Sequence, residues 1–171
     1  RRQRQMCIRD SLNAGFNEVF FTDVTIPENN IVGKRGEGWA VANATLSHER
    51  GSLSDPNAMM NRLNSLIDRM KKETINGEKV INNPVYRDKL MKIQGKVIAF
   101  QSNSLRVLSA KLNKNQDVKI AGMIQKLVGT ELRHELEGFA IDIMGELGTL
   151  YENSPNIRDG GSWQIAYMYF L

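Results

Sequence analysis

Between Ile120 and Met144 apolar residues recur every three to four positions, at Ile120, Ile124, Leu127, Val128, Leu132, Leu136, Phe139, Ile143 and Met144, with no proline in the interval. A stripe of that period and length demands an amphipathic helix whose broad apolar face meets other helices. The spacing predicts a helix over about residues 117–147. Two more stretches share the pattern. Asp55-Pro56 offers an N-cap followed by proline at the first helical position, and Met59, Leu63, Leu66, Ile67 and Met70 then follow helical spacing until Asn76-Gly77. From Pro84 a second long helix carries Leu90, Ile93, Val97, Leu105, Leu108 and Leu112 to a turn at 113–115, interrupted by Gly95, which costs about 1 kcal/mol relative to Ala. A helix is also expected from about Gly36 to Arg50, with Val41, Ala42 and Leu46 on one face, and another begins at Trp163 after Gly160-Gly161-Ser162. Long amphipathic helices joined by short connections predict a mainly α fold, an antiparallel up-and-down four-helix bundle. Ahead of it, Val19, Phe20, Phe21, Val24 and Ile26 within residues 16–32 have strand composition closed by Pro27, a short N-terminal β remnant.

The 171 residues, 41% hydrophobic and 25% charged, suit one domain with a real core and exclude disordered, collagen-like and disulfide-scaffold classes. No run approaches the roughly 18 apolar residues of a membrane span. The net charge of +4 would invite a nucleic-acid partner, but three of those charges fall in residues 1–11, so no such partner is expected. That segment, Arg-Arg-Gln-Arg-Gln-Met-Cys-Ile-Arg-Asp-Ser, resembles a transposase-type sequencing-library adapter translated in frame, and it is set aside as non-native. It contains Cys7, the sole cysteine, which leaves no thiol chemistry to the remainder. Leu12 is then expected to lie within a gene, and the apolar ending Tyr167 to Leu171 suggests a second cut in the last helix. The two histidines, His48 and His134, have no metal-ligand company, so no metal site is expected, and His134 reads as part of a solvated face. Cytoplasmic location is the default expectation.

One constellation is more specific. Asn17-Glu18-Val19-Phe20-Phe21-Thr22-Asp23-Val24-Thr25-Ile26-Pro27 precedes Gly36-Glu37-Gly38-Trp39 and Thr45-Leu46-Ser47-His48-Glu49-Arg50-Gly51. This order resembles the acyl-CoA dehydrogenase family, in which such a strand closes a middle β domain, G-x-G-W opens the C-terminal helical domain and a Glu-Arg pair sits on its first helix. The resemblance extends over essentially all of residues 12–171. It implies three segments: 1–11 adapter-like, 12–35 the end of the β domain with a linker, and 36–171 the helical domain.

The resemblance further implies α,β-dehydrogenation of an acyl-CoA thioester, in which a carboxylate removes the α-proton and FAD accepts the β-hydride. Electrons would pass to an electron-transfer flavoprotein, and the bundle would build a homo- or heterotetramer. The base would be Glu49, with Arg50 orienting that edge of the site, although an ordinary helix carboxylate beside an arginine is the competing reading. A Glu before a Gly-Thr in a later loop is the other placement in the family. The cofactor loop Q-x-L-G-G-x-G corresponds to Asp142-Ile143-Met144-Gly145-Glu146-Leu147-Gly148, which keeps Gly145 and Gly148 as candidate FAD contacts but adds two carboxylates. The R-x-F-G clamp of many members has no counterpart in Asn82 to Lys89. Trp39, Thr130-Glu131 and Trp163-Gln164 are expected to pack. Two other readings stay open: a non-catalytic partner subunit or helical module, possible within the heteromeric sterol-side-chain branch, and an acyl-CoA oxidase or flavin monooxygenase on the same fold.

Overall fold

A computed structural model describes the backbone of residues 4–7, 16–52, 55–113, 119–151 and 153–169, and side chains over 19–46, 55–110, 112–113, 120–151 and 153–169. The elements are β1 (Arg4–Cys7), β2 (Phe16–Val19), α1 (Gly38–Ser52), α2 (Pro56–Lys72), β3 (Thr74–Ile75), β4 (Glu78–Lys79), α3 (Pro84–Leu112), α4 (Lys119–Met144) and α5 (Ser162–Tyr169). Short 3-10 turns occupy Glu28–Asn30, Val80–Asn82, Gly145–Thr149 and Asp159–Gly161. The chain divides into two compact units, residues 1–50 and 51–171. The fold is mainly α with short strands, as the periodicity predicts.

In the first unit β1 pairs antiparallel with β2, Arg4 opposite Val19 and Cys7 opposite Phe16. Part of the adapter-like segment therefore takes strand structure. The strand expected through Ile26 stops at Val19, opposite Arg4, and Asp23 at φ 49 keeps the segment beyond from running to Ile26 as one strand. Phe20, Phe21, Val24 and Ile26 are exposed.

The second unit holds the core. Asp55 caps α2 by accepting the Asn57 N–H at 2.9 Å, with Pro56 at the first helical position. Met59, Leu63, Leu66 and Met70 of α2, Leu90, Ile93, Val97 and Phe100 of α3, Leu132, Leu136, Phe139 and Ile143 of α4 and Trp163 of α5 form one buried cluster. Each large aliphatic side chain so buried contributes about 1.5–3 kcal/mol. Asn76-Gly77 joins β3 to β4, both residues at positive φ as a two-residue hairpin turn requires. Lys89 pairs with Asp142 and Lys96 with Glu135, while Asn103 meets Gln125, so the numbering of α3 rises as that of α4 falls. The two helices are antiparallel. α4 ends at Met144 rather than near residue 147, where Gly145 enters the left-handed region at φ 55.

The expected core is too long at one end. Leu105, Leu108 and Leu112 of α3, and Ile120, Ile124, Leu127 and Val128 of α4, are exposed. The 17 residues of α2 span about 26 Å and the 29 of α3 about 44 Å, so α2 cannot cover the far end of α3, while Ile120, Ile124 and Leu127 fall on the side of α4 turned away from its core residues Leu132 and Leu136. No helix among the described residues is long and apolar enough to cross a membrane.

A buried ion cluster ties α5 to the core. Glu137 of α4 is fully buried, and its two oxygens accept from Arg62 Nε at 2.8 Å and Arg62 Nη2 at 2.6 Å. Arg133 also donates to Glu137. The same Arg62 donates to the Ser162 carbonyl at 3.2 Å and lies 3.4 Å from the centroid of the Trp163 ring. Trp163 Nε1 in turn donates to Asp159 at 2.6 Å, and Asp159 accepts from Arg69. Burial pushes the Asp159 carboxyl up, but the Trp163 and Arg69 hydrogen bonds, with the charges of Arg69 and Lys72, outweigh it and hold the group below the ordinary range.

Removing one partner of a buried pair costs about 3–5 kcal/mol, because the other charge stays buried. With Arg133 still in place, Arg62→Met should cost about 3 kcal/mol in denaturant unfolding, and adding Glu137→Leu should recover part of that loss. A depressed carboxyl contributes stability above its unfolded pKa and loses it as pH falls through the folded value. The unfolding midpoint should therefore drop below about pH 4 more steeply in the unaltered protein than in Asp159→Asn.

Candidate functional site

The residues assigned to chemistry fall in two places, the last turns of α1 and the turn after α4. α1 starts where the Glu37 carbonyl accepts from Ala40 N at 3.0 Å and Val41 N at 3.2 Å, and it carries Glu49 and Arg50 in its backbone. The side chains of Glu49, Arg50 and His48 lie outside the described residues. Trp39, expected to pack, is 78% exposed, since no described side chain of its unit covers it.

The turn after α4 explains its own glycines. A Cβ on Gly148 would sit 2.5 Å from the Ile141 carbonyl oxygen, so that position closes against α4 only as glycine. Gly145 has open space around it and needs glycine for its φ of 55. Asp142, near the end of α4, and Glu146, in the turn after it, are both exposed, and Lys89 Nζ sits 3.4 Å from Asp142. A diphosphate requires donors and positive charge. The end of α4 and this turn together present two carboxylates, and the Lys89 ammonium is paired with one of them. The donor set there does not fit an FAD diphosphate.

Between α3, α4 and α5 lies an open cleft of about 490 Å³. Ile93 and Phe139 line its floor, and Lys89, Lys92, Glu135 and Asp142 edge it. One wall is the His134 ring stacked on Tyr167, centroids 4.1 Å apart and planes at 21°. His134 Nδ1 is 3.3 Å from the Tyr167 carbonyl oxygen, so this histidine packs against α5 instead of lying on a solvated face. Sequence reasoning missed it, because its partner is 33 residues away. Trp163 and Gln164 are buried as expected, whereas Glu131 is exposed. The Gln164 amide has no hydrogen-bond partner among the described residues. No group of His, Cys, Asp or Glu that could hold a metal occurs among them either.

If Gly148 answers to packing, Gly148→Ala should destabilise the protein without any cofactor present, by about 1–3 kcal/mol. Gly145→Ala should cost about 1–2 kcal/mol through its backbone alone. Denaturant unfolding of flavin-free protein checks both.

Residues 36–165 match the acyl-CoA dehydrogenase C-terminal domain. Acyl-CoA dehydrogenase IpdE1 of Mycolicibacterium smegmatis is 29% identical over 158 residues, which cover 90% of this chain and 36% of that protein. The chain thus spans about a third of the length of that relative. Among solved structures, the Tcur3481-Tcur3483 steroid ACAD superposes with a TM-score of 0.82 at 19% identity, covering 99% of this chain and 42% of that one. The ChsE4-ChsE5 complex from Mycobacterium tuberculosis gives 0.79 at 19% identity, covering 99% and 44%. The structural likeness establishes the fold, and the domain match establishes kinship: this chain belongs to the acyl-CoA dehydrogenase family.

Proposed function

We propose that the full-length protein is an FAD-dependent acyl-CoA dehydrogenase and that this chain supplies its helical domain. The observation that carries the reading is the domain match over residues 36–165, which includes the helix bearing Glu49. Residues 12–35 would end the β domain and 36–171 form the helical one. FAD supplies the hydride acceptor.

The α-proton of a thioester is weakly acidic, so its removal needs a positioned base whose pKa is raised by burial. Glu49 is assigned that task, and Arg50 orients the same edge of the site. The reading includes an electron-transfer flavoprotein as acceptor, a tetrameric assembly and a cytoplasmic location. Gly145 and Gly148 shape the turn after α4 and are given no flavin contact, because Asp142 and Glu146 repel a diphosphate. That mismatch favours a second reading, in which this subunit carries no flavin across its bundle and works beside a non-identical subunit that does. An acyl-CoA oxidase on the same fold would show itself by oxygen consumption.

In the full-length protein Glu49→Gln should lower the rate of substrate-dependent flavin bleaching by about 10²–10⁴-fold with flavin content unchanged. Unchanged bleaching would remove Glu49 from catalysis, and a purified protein without flavin would favour the partner-subunit reading.

A further inference from the structure

Asn76 and Gly77 form the tip of the β3–β4 hairpin, both exposed, at φ 52 and φ 82. Of the asparagines in the chain, only Asn76 is followed by glycine. That pairing has a chemical consequence. Glycine carries no Cβ to shield its backbone nitrogen, which can therefore attack the carboxamide carbon of the preceding asparagine. The surroundings add no shield, since nothing lies within 4 Å of a Cβ built on Gly77. Other asparagines are protected. Asn57, Asn61, Asn64 and Asn103 sit inside helices that hold the backbone, and Asn83 precedes a proline, which has no N–H.

Positive φ at both residues of a two-residue loop describes a type I′ turn. A left-handed residue at the first position of such a turn sets the next backbone nitrogen anti to its own side chain, so ring closure must wait until the turn opens. Opening is easy at the tip and hard at the base. The hairpin has only the pairs Thr74 with Lys79 and Ile75 with Glu78, and two-stranded hairpins are marginal by themselves. Its base is fastened: Ile75 rests half-buried against the core, Val80 is buried, and the Val80 N–H donates to the Glu73 carbonyl at 3.0 Å. The tip can fray while the base stays in place.

We propose that Asn76 is a site of spontaneous deamidation, gated by opening of the β3–β4 tip, and that its isoaspartyl product loosens the hairpin from the core. The Gly77 nitrogen bonds to Asn76 Cγ, the side-chain nitrogen leaves as ammonia with the Gly77 proton, and a cyclic succinimide forms. Water then opens the ring at either carbonyl, giving aspartate or isoaspartate. The fold treats these products differently. Asp-Gly suits the same turn as Asn-Gly, so the aspartyl hairpin closes again. Isoaspartate routes the backbone through the side-chain carbon and adds a methylene to the loop, so Thr74 no longer stands opposite Lys79. The strain then falls on the base, where the Glu73 carboxylate accepts from Arg69 at 3.0 Å and Arg158 at 2.9 Å. Damage at the tip thereby reaches the clamp between α2 and the segment ahead of α5.

Ageing the purified full-length protein in warm, mildly alkaline buffer tests this. Lysyl endopeptidase, used near neutral pH to avoid modification during digestion, releases residues 73–79, whose only asparagine is Asn76. The expected result is that this peptide exchanges NH for O in mass before any other asparagine of the chain does, that isoaspartyl methyltransferase labels it, and that it reacts more slowly in the folded protein than free in solution. Ile75→Ala, which loosens the tip, should raise the rate in the protein about five-fold and leave the rate of the free peptide unchanged. Limited proteolysis of the aged sample should consume isoaspartyl chains before aspartyl ones, and Asn76→Asp, which makes the tolerated product directly, should unfold at the wild-type denaturant midpoint. An unmodified peptide, equal rates in folded and free forms, no acceleration by Ile75→Ala, or equal proteolysis of the two products overturns the proposal. None of these readouts depends on flavin content or turnover, so the functional reading above stands or falls separately.

Discussion

A carboxylate with no exposure to water is the constraint on which the helical unit turns. Glu137 sits at the level where α2, α4 and α5 meet, and its charge is tolerable there because two guanidiniums reach it. Arg62 does more than neutralise. It also accounts for the position of α5, through the Ser162 carbonyl and the face of Trp163, and Trp163 then orients Asp159. An eight-residue helix with five aromatic or long apolar side chains could slide along α4 at modest cost. A fixed set of charge-assisted hydrogen bonds at its first turn selects one register.

The apolar core is the complementary constraint. It is well filled where α2, α3 and α4 run together and stops where α2 stops. Helix length therefore decides which apolar residues become core and which become surface. The periodicity of α3 is continuous from Leu90 to Leu112, yet Val97 is fully buried and Leu112 is 76% exposed. Exposed apolar residues in such numbers on neighbouring helices are characteristic of surfaces that meet another chain or domain.

Legibility in the sequence followed the range of the interaction. The cap at Asp55-Pro56, the turn at Asn76-Gly77 and the long helices rest on contacts within a few residues, and they could be read directly. β3 and β4, of two residues each, are too short for any period. The His134–Tyr167 stack and the Arg62–Glu137 pair join residues 33 and 75 positions apart, and neither partner looks unusual alone. Coverage was illegible for the same reason. A helical period tells which side is apolar and says nothing of what lies against it. The motif linking Glu37-Gly38-Trp39 to Glu49-Arg50 carried family and fold, but a motif is not a side-chain geometry. Trp39 stands exposed where packing was expected.

The pairing of charge between α3 and α4 bears on the turn that follows α4. Asp142 belongs to α4 and Lys89 to α3, and their 3.4 Å pair, like that of Lys96 with Glu135, joins the two helices within the chain. The turn after α4 therefore starts beside one carboxylate and carries a second, Glu146. A phosphate could be accommodated only by losing the Lys89–Asp142 pair or by drawing cations from elsewhere. Gly148, closed against the Ile141 carbonyl, leaves the turn little freedom to rearrange and expose its N–H groups.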